Sequence, residues 1–165
     1  MEFFILIYEN HIAGYGEMFV RICLSAVVGF IIGLDRSFKS KPAGVKTYTY
    51  VCVACTLITL ISIESAETLS ENNSGKVMDP MRLAAQVVSG LGFLGAGMIL
   101  KDGLKVKGLT SAAMILFAGG VGIGIGAGFY AIVACAVLVS LFTASMGRHL
   151  EKNQMTDGSK EYDIE

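Results

Sequence analysis

The longest uncharged stretch of the chain constrains its fold more than any other feature. From Gly108 to Gly147 there is no Asp, Glu, Lys, Arg or His. A single helix of that length would extend about 60 Å, roughly twice the ~30 Å of a bilayer core. The stretch must therefore turn back, and the glycine-rich segment from Gly124 to Gly128 is where we predict the turn. This gives two membrane helices, over about 108–125 and 129–147.

Three more runs between charged residues are long enough, with their flanks, to cross a bilayer at about 20 residues each. They lie over about 18–35, 47–63 and 83–101. The composition agrees, because 53% of the residues are hydrophobic and 16% are charged, against roughly 25% charged in soluble domains. We therefore predict an all-α integral membrane protein, a bundle of about five transmembrane helices.

The charges of the connecting segments predict the orientation. The segments after the first and third spans and the start of the tail are basic, whereas those on the other side are acidic on balance. Basic residues favour the cytoplasmic side, so we predict the N-terminus outside and the C-terminus in the cytoplasm. The predicted parts are an extracytoplasmic segment (1–17), a transmembrane domain (18–147) and a short, partly disordered cytoplasmic tail (148–165). No secretory signal peptide is evident, and we expect a multi-pass protein of the cell membrane.

Charged residues cluster at the predicted cytoplasmic end of the first span. The predicted functional polar cluster comprises Asp35, Arg36, Lys41 and Lys46. An acid at the membrane edge is costly unless it is paired, which makes it a functional candidate. Asp35 could lie on a cation path or in an ion-pair latch with Arg36 or Lys46. It could equally belong to a helix-end charge cluster that only sets orientation.

A second polar cluster opens the third span on the outer side. It comprises Asp79, Arg82, Gln86 and Ser89. Asp79 followed by Pro80 predicts a helix start, since Asp caps helices and Pro is favoured at their first position. Gln86 and Ser89 are uncharged polar groups that could line a cavity inside the bundle.

Glycine is abundant in the third and fourth spans. GLGFLG, residues 90–95, matches the GxGxxG pattern of dinucleotide-binding folds, but it lies inside an apolar run without a strand–turn break, so we reject that interpretation. Small residues at such spacing favour close packing of membrane helices, within the chain or between two copies. A broken helix that lines an ion site is the alternative. The predicted packing glycines are Gly90, Gly92, Gly95, Gly97, Gly120, Gly124 and Gly128. In the fourth span Gly120, Gly124 and Gly128 form one GxxxG ladder, and Gly122 with Gly126 forms a second.

No motif indicates an enzyme. Cys52 and Cys55 form a CxxC, but no second ligand pair accompanies them, and a buried cysteine behaves as a small hydrophobe. HExxH is absent, and His11 and His149 lie at opposite ends of the chain. We expect neither catalysis nor a cofactor.

Three long motifs resemble the membrane domain of the MgtC/SapB family. They are GLDRSFKSKPAGVKTYTYV (33–51), DPMRLAAQVVSGLGFLGAGMIL (79–100) and GLTSAAMILFAGGVGIGIGAGFY (108–130). The resemblance covers nearly all of residues 18–147 and implies a bundle of about five transmembrane helices. The chain is similar to the short, SapB-like members, which lack the cytoplasmic C-terminal domain. It departs from the family at Asp35-Arg36-Ser37, where most members have Glu-Arg-Glu, at Lys46 (usually Arg) and at Leu116 (often Trp).

The resemblance implies a role in growth or survival at low magnesium. Members are often labelled magnesium transporters, whereas some virulence-type members restrain the membrane ATP synthase. The first hypothesis is therefore magnesium transport or homeostasis, with Mg²⁺ as substrate or ligand and Asp35 as candidate metal ligand. The alternatives are a non-transporting regulator that binds another membrane protein, such as the ATP synthase, and a self-associating module. The expected partners are membrane lipids, a second copy in a dimer, or a membrane protein, and not nucleic acid.

Overall fold

Helices make up most of the chain in the computed structural model. It describes the backbone of residues 2–38, 43–72 and 79–158, and the side chains of residues 15–38, 43–69 and 79–146. The helices are α1 (Glu2–Ser37), α2 (Val45–Asn72), α3 (Met81–Gly97), α4 (Leu109–Gly126) and α5 (Tyr130–Gly158). Between α3 and α4 lie two short strands, β1 (Leu100–Asp102) and β2 (Lys105–Lys107).

The predicted all-α membrane class is confirmed. Three helical segments are long and apolar enough to cross a bilayer, namely Tyr15–Ser37, Val45–Leu69 and Leu109–Gly126. A fourth, shorter apolar segment covers Tyr130–Met146. The remaining predicted span corresponds to α3, which has 17 residues. The turn predicted around 124–128 lies at residues 127–129, and Gly128 adopts the positive φ of +82° that such a turn requires.

The helices extend beyond the predicted spans at both ends of the chain. Helix α1 runs from Glu2 without a break at residue 17. Helix α5 continues to Gly158, beyond the predicted end of the fifth span at residue 147. The remainder of the tail, 159–165, lies outside the described residues.

The end of the third span was predicted wrongly. The helix ends at Gly97, and residues 100–107 form an antiparallel hairpin rather than a last helical turn and a loop. Its two-residue turn is Gly103-Leu104, with Gly103 at a φ of +60°. Hairpin turns favour glycine at such positions because they need positive φ. Gly103 thus closes the hairpin, whereas α3 ends through Met98, which keeps a right-handed conformation.

The chain forms two compact units, residues 1–130 and residues 131–165. In the first unit, α1 and α2 are antiparallel, since Gly33 lies against Val45 and Gly29 against Cys52. Helices α2 and α4 run in the same direction, because Gly122 lies against Cys52 and Gly126 against Thr59. The second unit consists of α5 from Ala131 onward.

This order of helices brings several helix termini together at one end of the first unit. The end of α1, the start of α2 and the β1–β2 hairpin all lie there, which we call the hairpin end. The start of α3 lies at the other end, with Ser62 of α2 and Gly126 of α4, and we call this the cleft end. The residues that flank these two basic segments thus lie at one end of the first unit, and the side of the membrane on which they lie stays a prediction.

Candidate functional site

A row of polar side chains on α2 faces α4. Tyr48, Cys52 and Thr56 are spaced by four residues, so they lie on one helix face, and all three are fully buried. Their hydrogen bonds cross to α4: Tyr48 Oη donates to the Ser111 carbonyl at 3.5 Å, Cys52 Sγ to the Ala118 carbonyl at 3.1 Å, and Thr56 Oγ1 to the Gly122 carbonyl at 2.8 Å. Each donor is used by a backbone carbonyl, as is common between membrane helices. The row therefore joins two helices and presents few free oxygen ligands to a cation.

Glycines allow this close approach of α4 to α2. A Cβ added at Gly122 would lie 2.9 Å from the Cys55 Cβ, and one at Gly126 would lie 2.8 Å from the Thr59 Cβ. On α1, Gly33 allows the same approach to α2, because an added Cβ would lie 2.5 Å from the Val45 Cα. The packing glycines of the first unit thus include positions 33, 122 and 126; the sequence indicated the ladder of 122 and 126 but not Gly33.

The predicted packing glycines have mixed surroundings. Gly95 contacts α4, where its added Cβ would lie 3.6 Å from the Ala112 Cβ. Nothing described in the first unit lies within 4 Å of a Cβ added at four others, Gly90, Gly92, Gly97 and Gly120. Gly128 serves the turn after α4, and Gly124 in that helix accepts a hydrogen bond from the Phe129 amide through its carbonyl. The small residues of α3 thus present an open face.

Arg36 is the buried charge of the hairpin end. It is only 7% exposed, and its Nε is buried without a hydrogen-bond partner in the described structure. It lies close enough to the Tyr48 phenol to interact with it electrostatically. An incompletely satisfied buried guanidinium is costly, and residues of this kind in membrane segments are functional candidates.

The other members of the predicted polar cluster are placed differently. Asp35 is half-buried at the end of α1 and has an interaction partner, whereas Lys46 is exposed in the first turn of α2. Lys41 lies outside the described residues. The Ser37 hydroxyl accepts a hydrogen bond from the Val45 amide at 3.2 Å and so ties α2 to α1.

An arginine also lies at the cleft end. Arg21 donates to the Gly126 carbonyl at 2.6 Å, in the last turn of α4. It also pairs with Glu17 and lies 5.9 Å from the centre of the Tyr130 ring. Cations stabilise helix C-termini, where carbonyls lack partners. A glutamate one turn before an arginine in an otherwise apolar run indicates the Glu17–Arg21 pair, but it does not indicate the contact with Gly126.

A polar cleft opens between α2 and α3 at the cleft end. It has a volume of about 410 Å³, and its lining includes Ser62 and Ser65 of α2 with Asp79, Arg82 and Gln86. Three of the four predicted outer residues thus meet in one cleft. Ser89, the fourth, is exposed on α3 and is not among the lining residues.

Two hydrogen bonds fix the wall of this cleft. The Asp79 carboxylate accepts a bond from the Met81 amide at 2.8 Å, which confirms the predicted cap at the start of α3. The Ser62 hydroxyl donates to the Pro80 carbonyl at 2.7 Å and so ties α2 to the same turn. The cleft is therefore a recess in which polar side chains, including one carboxylate, lie beside the apolar Ala66 and Leu83.

No dedicated metal cage is present among the described residues. They contain no group of three His, Cys, Asp or Glu side chains that could hold a metal ion. Asp35 and Asp79 lie near opposite ends of α2, which are roughly 25 Å apart at 1.5 Å per residue between Val45 and Ser62. Any Mg²⁺ held by one of these carboxylates would keep most of its water ligands, as Mg²⁺ commonly does.

The arrangement of helices and motifs agrees with the comparison to protein families. The MgtC family model matches residues 22–153. The chain belongs to the MgtC family. The match covers the first-unit helices from Ile22 onward and most of α5.

Relatives in three bacteria give the family its context. Protein SapB of Bacillus subtilis is 36% identical over 149 residues, covering 90% of this chain and 64% of that protein. The protein named "Putative magnesium transporter YhiD" of Escherichia coli K12 is 34% identical, covering 83% and 66%. Protein MgtC of Brucella abortus is 37% identical, covering 78% and 51%. This chain thus spans between about half and two thirds of these relatives' length. No solved structure matches it.

Proposed function

We propose that this chain is a multi-pass cell-membrane protein of magnesium homeostasis that takes up hydrated Mg²⁺ at the cleft between α2 and α3. All five helices span the membrane in this proposal, with the N-terminus outside. Membership of the MgtC family supports the ion, and one relative carries the name of a magnesium transporter. The cleft is the observation that carries the proposal.

The chemistry of the cleft suits a hydrated divalent cation. Mg²⁺ binds through one or two carboxylates and retains several waters. The cleft offers one carboxylate, Asp79, together with the hydroxyls of Ser62 and Ser65 and the amide of Gln86. At about 410 Å³, it is large enough for an ion that keeps its water shell. Arg82 in the same lining would weaken binding, so low affinity is expected.

The seam between α2 and α4 is a poor route for a cation. Its hydroxyl and thiol groups already bond to carbonyls of α4, and buried Arg36 lies at its hairpin end. Arg21 lies at its other end. A divalent cation would meet two guanidinium groups on that path, and like charges repel strongly at low dielectric. A path that begins in the cleft and follows α3 avoids both.

Reconstitution tests the proposal directly. The purified protein is placed in liposomes that contain a Mg²⁺-sensitive dye, and an inward Mg²⁺ gradient is applied. We expect dye response above that of protein-free liposomes, and we expect Asp79→Asn to reduce the initial rate. The Met81 amide can still donate to the side-chain oxygen of the substituted asparagine, so this variant removes the charge and leaves the helix cap in place.

Glu67→Gln is the matched control, because Glu67 is an exposed acid on α2 outside the cleft lining. It should leave the rate unchanged. Absence of flux at every gradient would rule out transport by this chain alone. Equal loss in both variants would show that surface charge, and not the cleft, sets the rate.

The open face of α3 supports a second candidate function, a regulator that binds another membrane protein. Ala85, Ser89, Gly92 and Ala96 share this face at spacings of four, three and four, and all four are exposed. Small residues favour close helix packing in bilayers. Photo-cross-linking from Ser89 in native membranes would capture the partner, with Leu94, an exposed residue on the opposite side of α3, as the control position. If the only product is a dimer of this chain, self-association replaces regulation.

A further inference from the structure

The β1–β2 hairpin presents apolar side chains to its surroundings. Leu104 at the tip is 103% exposed relative to an isolated residue, and Leu100 and Val106 on the strands are also exposed. Leaving such side chains in water is unfavourable relative to burying them in an apolar environment. Two strands of three residues have no core of their own in which to bury them. The hairpin therefore favours an apolar environment outside the fold.

The base of the hairpin is fixed to the helices. Gly108, between β2 and α4, has a φ of +91°, and a Cβ added there would overlap the Met98 carbonyl oxygen. At the other side of the base, the Met98 and Ile99 amides bond to the Gly95 and Ala96 carbonyls at 3.1 Å each. The position of the hairpin is thus set by the ends of α3 and α4. It lies where two helices of a membrane bundle end.

The charges of the hairpin are predominantly positive. Lys101, Lys105 and Lys107 accompany a single acid, Asp102, which gives a net charge of +2. Lys107 pairs with Asp102 at 3.2 Å. In the strand register Lys101 lies opposite Val106 and Lys107 lies opposite Leu100, so each of these cross-strand pairs joins an ammonium group to an apolar side chain. Long lysine stems can lie along apolar surface while the ammonium group reaches polar headgroups.

We propose that this hairpin is a lipid-binding element: Leu104 inserts into the interfacial layer of an anionic leaflet, and Lys101 and Lys105 bind its phosphate headgroups. The observations that carry it are the fully exposed apolar tip, the net positive charge and the fixed position at the ends of two membrane helices. A basic and apolar element at this depth matches the negative surface of a leaflet in charge and the acyl boundary in polarity. The proposal stands whether or not the chain transports Mg²⁺.

A lipid surface fits these features better than a protein groove does. A groove that takes a strand needs an unpaired edge of some length, and these strands have three residues each. An anionic leaflet requires no specific register, and each lysine near such a surface changes partitioning by about fivefold. Removing two lysines should therefore weaken the lipid dependence by about 25-fold.

The absence of tryptophan from the chain allows a direct measurement, because Leu104→Trp introduces the sole indole. The full-length variant is reconstituted in nanodiscs of phosphatidylcholine alone or with phosphatidylglycerol. With the anionic lipid we expect blue-shifted emission, quenching by lipids brominated on their acyl chains, and protection from aqueous acrylamide. High salt should weaken all three effects, since the Debye length falls from about 10 Å at 0.1 M to 3 Å at 1 M. Because the native Leu104 side chain is fully exposed, replacing it with Trp removes no packing contact.

Two further variants decide the outcome. Adding Lys101→Gln and Lys105→Gln to Leu104→Trp should shift the phosphatidylglycerol dependence to higher mole fraction. Phe93→Trp, at a 79% exposed position on α3, should be quenched by brominated lipid at either headgroup composition and so reports correct insertion. Soluble inositol hexakisphosphate, added as competitor, distinguishes headgroup phosphate recognition from insertion. If the indole of Leu104→Trp stays red-shifted and open to acrylamide in anionic nanodiscs while the indole of Phe93→Trp is quenched, the proposal is overturned.

Discussion

Gly122 shows how one residue sets the distance between two helices. Its carbonyl accepts the Thr56 hydroxyl at 2.8 Å, while the missing side chain leaves room for the Cys52 carbonyl and the Cys55 side chain. The same residue thus supplies a hydrogen-bond acceptor and a gap. Neither contact forms if α4 moves away from α2, so the two effects depend on each other.

Gly122→Ala should destabilise the protein by about 1–3 kcal/mol, because the added methyl overlaps backbone of α2 that cannot rotate away. The measurement is the thermal unfolding midpoint in detergent or nanodiscs, relative to wild type. Gly120→Ala is the matched control, two residues away on the same helix, with open space at its Cβ in the first unit. It should be neutral or slightly stabilising, since alanine has the higher helix propensity. Equal effects of the two variants would contradict the packing described for Gly122.

Asp35→Ala tests the hairpin-end cluster. We expect loss of growth at low Mg²⁺ in a strain that depends on this chain, with little change in the amount of folded protein, because Asp35 is half-buried beside Arg36 and not in the closely packed seam. Growth curves and quantitative blots of washed membranes make the comparison. Glu67→Ala, at an exposed acid, should grow like wild type. Failure of Asp35→Ala to accumulate would assign Asp35 a structural role.

At the scale of the element, the junction between β2 and α4 depends on a single glycine. Gly108→Ala should disrupt the hairpin, because it places a side chain at a φ of +91° and against the Met98 carbonyl oxygen. The left-handed conformation alone costs roughly 1–2 kcal/mol. Gly103→Ala is the control, with a φ of +60° but open space around its Cβ. Limited proteolysis within residues 98–108 should be faster in Gly108→Ala than in Gly103→Ala. Equal cleavage rates in the two variants would show that the overlap with the Met98 carbonyl oxygen is relieved at no cost.

The sequence predicted helices well where charge and hydropathy define them. The uncharged run after Gly108 requires two helices and a turn, and that turn appears at Gly128. The hairpin was missed because its strands have three residues each and follow an apolar run that continues past Gly97. Charge counting records three lysines there but carries no information about strand pairing.

Side-chain contacts between helices were beyond the reach of the sequence. Asp79, Arg82 and Gln86 fall within two turns of one helix, so their common cleft was predictable. The hydrogen bond from Arg21 to the Gly126 carbonyl joins residues 105 positions apart. No local sequence pattern predicts a contact at that separation. Likewise, glycine spacing on α4 offered two ladders, and only the helix placement selects Gly122 and Gly126 over Gly120.

For the whole molecule, parallel α2 and α4 determine what lies at each end of the first unit. The hairpin end collects Arg36, Lys46 and the hairpin lysines, whereas the cleft end carries Asp79, Ser62 and Ser65 together with Arg21 and Arg82. A positively charged end suits a membrane protein that anchors to an anionic leaflet. A cleft with polar side chains at the opposite end suits the entry of a cation from the other side of the membrane. The proposed orientation follows from this separation.

Cysteine labelling tests that orientation. The four native cysteines are first replaced, with Ser at position 52 to keep a hydrogen-bond donor toward the Ala118 carbonyl. Single cysteines are then introduced at Phe38 and Lys105, both exposed at the hairpin end, and at Glu67, exposed toward the other end of α2. A membrane-impermeant maleimide on intact cells should label position 67 alone, and permeabilisation should expose positions 38 and 105 together. Label at 38 and 105 but not at 67 would invert the orientation and leave the fold intact. Opposite behaviour of 38 and 105 would contradict the parallel arrangement of α2 and α4 itself, because that arrangement places both residues on one side of the membrane.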